Sequence, residues 1–194
     1  MYLLAYCLFS TFFKFCHRLK ITGKENIPKS DAFIVVANHA SYYDPLVLAA
    51  SLYPRKVYFM AKMELFKIPG FAFVIRKLGA FPVKREGFDR KSLTRAFELI
   101  KDKEAIGMFP EGTRVRADAS RQIFQGAAYL ASKTGAGVLP VRICGTEKIM
   151  AEGKRFPRLA KINVNIGIPL KLNGVNKEDL AVFSAKIMEE IEKL

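Results

Sequence analysis

Apolar residues fall into short runs parted by polar stretches, and the spacing inside the runs changes along the chain. Residues 31–38 hold Ala-Phe-Ile-Val-Val-Ala between Asp31 and Asn38, a continuous run with three β-branched residues. Such a run reads as a strand buried on both faces, as in a parallel sheet. Asp44-Pro45 followed by Leu-Val-Leu-Ala-Ala opens a helix, because Pro suits the first helical position. Further strands are expected over 56–61, 80–83, 105–109 and 137–143. Over 161–167 Ile162, Val164 and Ile166 alternate with polar residues, a strand with one wetter face. Residues 64–78 read as helical with a break at Pro69-Gly70, and 124–134 as helical by composition. Leu93, Ala96, Phe97 and Ile100 repeat at helical spacing and predict a helix over 88–102. The last helix carries Leu180, Phe183, Ile187 and Ile191 on one face, with Asn176 as its cap. Strands alternating with helices predict a single α/β domain: a mostly parallel or mixed central sheet flanked by helices. In such folds ligands sit outside the carboxyl ends of the strands. Two polar clusters fall there, residues 38–45 and residues 109–114.

The first residues stand apart from this alternation. Residues 1–13 carry no charged side chain, Lys14 interrupts the run, and His17-Arg18-Leu19-Lys20 end it. A membrane span needs about 20 apolar residues, so this segment is short for one. A secretory signal would carry its basic residues ahead of the run and a small-residue cleavage site after it. Residues 1–20 therefore read as a helix in the membrane interface, ahead of a catalytic or binding domain over 21–194. A helix packed on the core is the alternative.

Charge sharpens this picture. The 194 residues hold 32 Lys plus Arg against 18 Asp plus Glu, a formal net charge of +14. Such a surplus calls for an anionic partner. Between Ser51 and Arg95 stand eleven Lys/Arg and three acids, interleaved with Leu65-Phe66 and the apolar run 68–75. That mixture favours anionic membrane lipids over a merely solvated face. No RNP-like aromatic motif, zinc finger or helix-turn-helix is present, so no nucleic-acid partner is expected. Cys7, Cys16 and Cys144 lack paired spacing, which excludes a disulfide scaffold and a zinc ribbon. No metal site is expected, and the setting is reduced and cytoplasm-facing.

The chain has two histidines. His17 ends the apolar N-terminal run, where an interfacial or incidental role fits. His39 follows a buried strand, and Asp44 lies five positions on across a short turn. A carboxylate bonded to one ring nitrogen fixes the tautomer, and the other nitrogen can then take a proton from an alcohol. Two plainer roles compete: Asp44 as a helix cap and His39 as a turn residue. The chain has no G-x-S-x-G elbow, HExxH or Rossmann glycine fingerprint. Ser41 has no separate oxyanion motif, and the cysteines have no His beside them in sequence. The nucleophile expected is therefore the substrate's own hydroxyl. Arg114 follows the strand ending in Phe109-Pro-Glu-Gly-Thr, and Arg85 ends the run 79–85. Guanidinium groups match phosphate in a bidentate manner, and two of them after separate strands make a weak case for an anion site.

Together, Asn38-His39-(four residues)-Asp44-Pro45, Gly79 to Arg85, Phe109-Pro-Glu-Gly-Thr-Arg114 and Val138-Leu-Pro140-Val141 resemble the glycerolipid acyltransferase family. The likeness covers about residues 20–170 and includes Glu64-Leu-Phe-Lys-Ile-Pro-Gly-Phe. It is nearest to the bacterial enzymes that acylate 1-acyl-glycerol-3-phosphate. The resemblance implies a glycerol-3-phosphate acyltransferase-like fold and a peripheral or monotopic place on the cytoplasmic face of the membrane. It implies His39 as general base on the sn-2 hydroxyl of lysophosphatidic acid, with Asp44 orienting it. The donor it implies is acyl-CoA or acyl carrier protein, as co-substrate and with no further cofactor. Arg85, Glu111, Gly112, Thr113 and Arg114 belong to the motifs associated with the acceptor and its phosphate, and Pro140 with the acyl or acceptor pocket. Val115, Lys84 and Gln125 depart from the residues common in the family at those places. The departures leave the His39–Asp44 pair intact and bear on which acceptor is used. Another lysophospholipid or glycerol phosphate is therefore an alternative acceptor. A thioesterase and a non-catalytic anionic-lipid-binding module are the competing functions.

Overall fold

The computed structural model describes residues 2–84, 89–110, 125–149, 158–172 and 177–194. Its seven described strands form one sheet. They are β1 (Lys20–Thr22), β2 (Phe33–Ala37), β3 (Val57–Lys62), β4 (Phe81–Val83), β5 (Ala105–Met108), β6 (Gly137–Cys144) and β7 (Asn163–Ile166). The spatial order is β1-β7-β6-β2-β5-β3-β4. Every neighbouring pair is parallel except β6 and β7, so the sheet is mixed. The helices are α1 (Tyr2–Cys16), α2 (Asp44–Ser51), α3 (Phe71–Lys77), α4 (Arg90–Lys101), α5 (Gly126–Thr134) and α6 (Lys177–Lys193).

The continuous apolar run of β2 is explained by its central place. Phe33, Val35 and Ala37 join one core cluster with Phe13 of α1 and Val47 and Leu48 of α2. Ile34 and Val36 join the other, with Ala96, Leu130 and Phe183 of α4, α5 and α6. Each face of the strand is thus roofed by helices, as a parallel strand requires. Consecutive steps β2 to β3 and β3 to β4 run the same way across the sheet. Right-handed crossovers therefore carry α2 and α3 over the same face.

The breaks follow local chemistry. Residues 63–67 form a 3-10 turn, Pro69-Gly70 ends it, and α3 begins. Gly70 has φ 74, in the left-handed region where a side chain is disfavoured. The expected cap at Asn176 lies outside the described residues. Strand β1 carried no periodic signal, being three residues long at the sheet edge.

The N-terminal helix serves two environments. Phe13 is wholly buried and Phe9 packs against the same cluster, while Leu8, Phe12 and Phe15 are exposed. Tyr6 stacks on Tyr53 with ring centroids 3.8 Å apart. Core packing and an open apolar face thus coexist on α1. No described helix is long and apolar enough to cross a membrane.

One carboxylate ties β4 to α4. Asp89 caps α4, its side chain accepting from the Ser92 N–H at 3.2 Å, and it accepts from the Lys84 N–H at 2.8 Å. The Lys84 N–H, then the N–H and hydroxyl of Ser92, hold its carboxyl below the usual carboxylate range. Asp89→Ala is expected to destabilise the fold by about 1 kcal/mol in denaturant titrations. Because the native value is depressed, this contribution is present above about pH 3.9, the ordinary Asp value. It fades as pH falls through the lower native value. Wild type and variant should converge in acid.

Candidate active site

Strand β2 ends at Ala37, yet its ladder continues by one side chain. The Asn38 Nδ2 donates to the Ile143 carbonyl at 2.8 Å, and its Oδ1 accepts from the Ile143 N–H at 2.8 Å. A side-chain amide here copies the donor and acceptor of a strand residue. It pins the departing chain to β6, and His39 leaves the sheet from a fixed point at the carboxyl edge.

The turn that follows folds back on Asp44. The Asp44 Oδ2 accepts from the Ala40 N–H at 2.7 Å, the Ser41 N–H at 2.7 Å and His39 Nδ1 at 2.9 Å. Its Oδ1 accepts from the Thr146 hydroxyl at 2.5 Å. Because Oδ2 already accepts from two backbone N–H groups, His39 Nδ1 serves as a third donor to it, which turns Nε2 toward any substrate proton. Asp44 occupies the first turn of α2 and is fully buried. The His39 side chain keeps 14% of its surface exposed against 1% for Asp44. The orienting group is sealed while the imidazole retains an opening. The helix-cap alternative fails in detail: the N-cap position is Tyr43, with no side-chain cap bond, and the carboxylate is spent on the turn, on His39 and on Thr146.

The imidazole also has a backing. It stacks on Phe109 at 4.2 Å and 22°, and Phe109 stacks on Phe59 at 6.2 Å and 11°. Phe59 lies over Gly107 of β5, where an added Cβ would come within 2.4 Å of its ring. Glycine at that strand position lets the aromatic pile settle against the sheet.

Of the other expected site residues, Pro140 lies buried in β6, in register with Val36 of β2. Its carbonyl accepts from the Gly167 N–H at 2.9 Å. It sits within the sheet, level with a residue three positions before His39. Arg85, Glu111, Gly112, Thr113 and Arg114 lie outside the described residues. The strands leading toward them, β4 and β5, run parallel to β3 and β2 and so end on the edge that carries His39. His17 is 2% exposed, with Nδ1 3.2 Å from the Ala160 carbonyl, and pins the end of α1 to the core. Thr146 and the Phe59–Phe109 pile escaped the sequence reading. The glycine that breaks the apolar run at 145 is the only local hint of the first.

Fold and site together describe an α/β domain that presents a hydrogen-bonded imidazole and carboxylate at the carboxyl ends of its strands. The acyltransferase family profile matches residues 18–144. The chain is 29% identical over 180 residues to the 1-acyl-sn-glycerol-3-phosphate acyltransferase of Bacillus subtilis, covering 91% of this chain and 87% of that one. The protein of the same description from Borreliella burgdorferi is 28% identical over 183 residues, covering 91% and 73%. A crystal structure of the 1-acyl-sn-glycerophosphate (LPA) acyltransferase from Thermotoga maritima superposes with a TM-score of 0.77 at 30% identity, over 97% of this chain and 78% of that chain. The chain belongs to the acyltransferase family.

Proposed function

We propose that this protein transfers an acyl chain from a thioester to the sn-2 hydroxyl of 1-acyl-glycerol-3-phosphate, giving phosphatidic acid. His39 Nε2 accepts the hydroxyl proton as the oxygen attacks the thioester carbonyl. The carbon–sulfur bond then breaks, and the departing thiolate takes the proton from His39 to leave as the thiol. Asp44 holds the imidazole in the required tautomer. The donor is acyl-CoA or acyl carrier protein, whose anionic surfaces suit a chain of +14. Arg85 and the Glu111 to Arg114 turn hold the acceptor phosphate so that its hydroxyl meets His39, a positioning effect. Pro140 belongs to the acyl or acceptor pocket. The observation that carries this reading is the 2.9 Å bond from His39 to a fully buried Asp44 at the carboxyl edge of the sheet.

The test is purified protein with lysophosphatidic acid and an acyl thioester, with products resolved by mass spectrometry. Phosphatidic acid should form with one thiol released per acyl transferred, and release should depend on the acceptor. Thiol release without acceptor would instead indicate a thioesterase. No transfer to any lysolipid would refute the reading.

The substrates are lipids, and the exposed surface suits a membrane. Leu8, Phe12 and Phe15 of α1, and Ile68, Phe71, Phe73 and Val74 around α3, are exposed. Arg76 lies 4.9 Å from the Phe66 ring and Lys77 5.6 Å from that of Phe73. Cations beside apolar rings match an anionic headgroup layer over acyl chains. These surfaces support a peripheral seat on an anionic membrane, which the proposal puts at the cytoplasmic leaflet. Truncating α1 would strip Phe13 from the core, so point substitutions are the cleaner test. Phe15→Ser with Phe73→Ser is expected to weaken sedimentation with anionic vesicles by about tenfold or more while the melting temperature stays near wild type. Unchanged vesicle binding would rule out these two faces as the contact.

A further inference from the structure

We propose that Thr146 is a positioning residue for the acyl transfer, fixing through its hydroxyl the carboxylate that orients His39. The proposal rests on the reading of His39 as general base.

Thr146 is fully buried and lies 102 positions from Asp44 in sequence. Its hydroxyl reaches Asp44 Oδ1 at 2.5 Å, the length of a charge-assisted O–H···O bond. The other carboxylate oxygen, Oδ2, already serves three donors. Among the described residues Thr146 supplies the hydrogen bond to Oδ1. Held from both ends, the carboxylate plane cannot turn about its Cβ–Cγ bond, and the direction in which it meets His39 Nδ1 is set.

The chain delivers this hydroxyl with little slack. Asn38 bonds Ile143 through both its donor and its acceptor, which fixes the end of β6 against the end of β2. Gly145 follows with φ 97, and a Cβ there would lie 2.0 Å from the Lys161 carbonyl oxygen, so only glycine makes the turn. Thr146 comes next, its carbonyl accepting from the Ile149 N–H at 3.2 Å. Asn38 therefore acts at two removes: it seats His39 on one side and the strand that presents Thr146 on the other. A hydroxyl that only tied β6 to α2 would affect stability. One that aims the imidazole must affect turnover.

The experiment compares Thr146→Val, Thr146→Ser and Thr146→Ala in the full chain, with melting temperature read beside steady-state kinetics. Thr146→Val keeps the shape and faces a methyl to Oδ1. It should lower kcat by about ten- to hundredfold, with KM for lysophosphatidic acid and for acyl-CoA within about twofold. Thr146→Ser should return kcat to within about threefold of wild type, since it restores the donor. Combined with Asp44→Asn, Thr146→Val should add little further loss, because the two act as a unit. A folded Thr146→Val protein with wild-type kcat, beside an inactive His39→Ala protein, overturns the proposal alone. Wild-type turnover in both variants overturns the general-base reading itself. If Thr146→Val does not fold, equal kcat for Thr146→Ser and Thr146→Ala overturns the proposal, and a deficit confined to Thr146→Ala supports it.

Discussion

His39→Ala is expected to lower kcat about 10²–10⁴-fold, the usual contribution of a positioned general base. The fold should survive, because the backbone before His39 is held by the Asn38 amide and not by the imidazole. What is lost is the ring that stacks on Phe109 and bonds Asp44. A binding defect would raise KM for the lysolipid, whereas removal of the base lowers kcat with KM little changed. Steady-state kinetics on the variant, with circular dichroism confirming the fold, decide between these. Wild-type kcat would remove His39 from the chemistry.

The second large effect separates charge from shape at Asp44. Asp44→Ala removes the acceptor shared by the Ala40 and Ser41 N–H groups, His39 and the Thr146 hydroxyl. Leaving buried donors unpaired should cost about 3 kcal/mol or more in unfolding free energy, and activity with it. Asp44→Asn behaves differently. Its amide oxygen can take the place of Oδ2 and accept from the turn and His39. Its NH₂ then points at Thr146, whose hydroxyl can accept as readily as donate. Stability should therefore stay near wild type, while the lost negative charge lowers kcat about 10²–10⁴-fold. Denaturant titration set beside kinetics for both variants makes the check. An Asp44→Asn protein as active as wild type would show that the carboxylate's charge does not matter.

Much of this was legible from residue order. The β-branched run before Asn38 marked the central strand, and Pro45 marked the start of α2 within a residue. These signals are local: they depend on which faces a segment must bury and on which φ a residue permits. Spacing alone left the pairing of His39 with Asp44 beside two plainer roles, a helix cap and a turn residue; the likeness to the acyltransferase motifs favoured it, and the structure adds the 2.9 Å bond. What stayed hidden is what distant segments do to one another. Asn38 completes a ladder with a residue 105 positions away, and nothing in its neighbourhood distinguishes that duty from ligand contact. Thr146 is one hydroxyl at the end of an apolar strand, and only the sheet order places it beside Asp44. The antiparallel setting of β7 is a tertiary choice that its alternating pattern permits equally in either direction. The two environments of α1 are also tertiary. Its aromatics look alike in sequence, and packing alone assigns Phe13 to the interior and Phe15 to the outside.

That assignment of Phe13 has a mechanical meaning. Its ring meets Tyr43 edge-on at 6.5 Å and 87°, and Tyr43 is the residue immediately before Asp44. One end of α1's side-chain array thus leans on the residue next to the group that aims the imidazole. A displacement of α1 would therefore press, through two touching aromatic rings, on the residue beside the carboxylate that aims the imidazole.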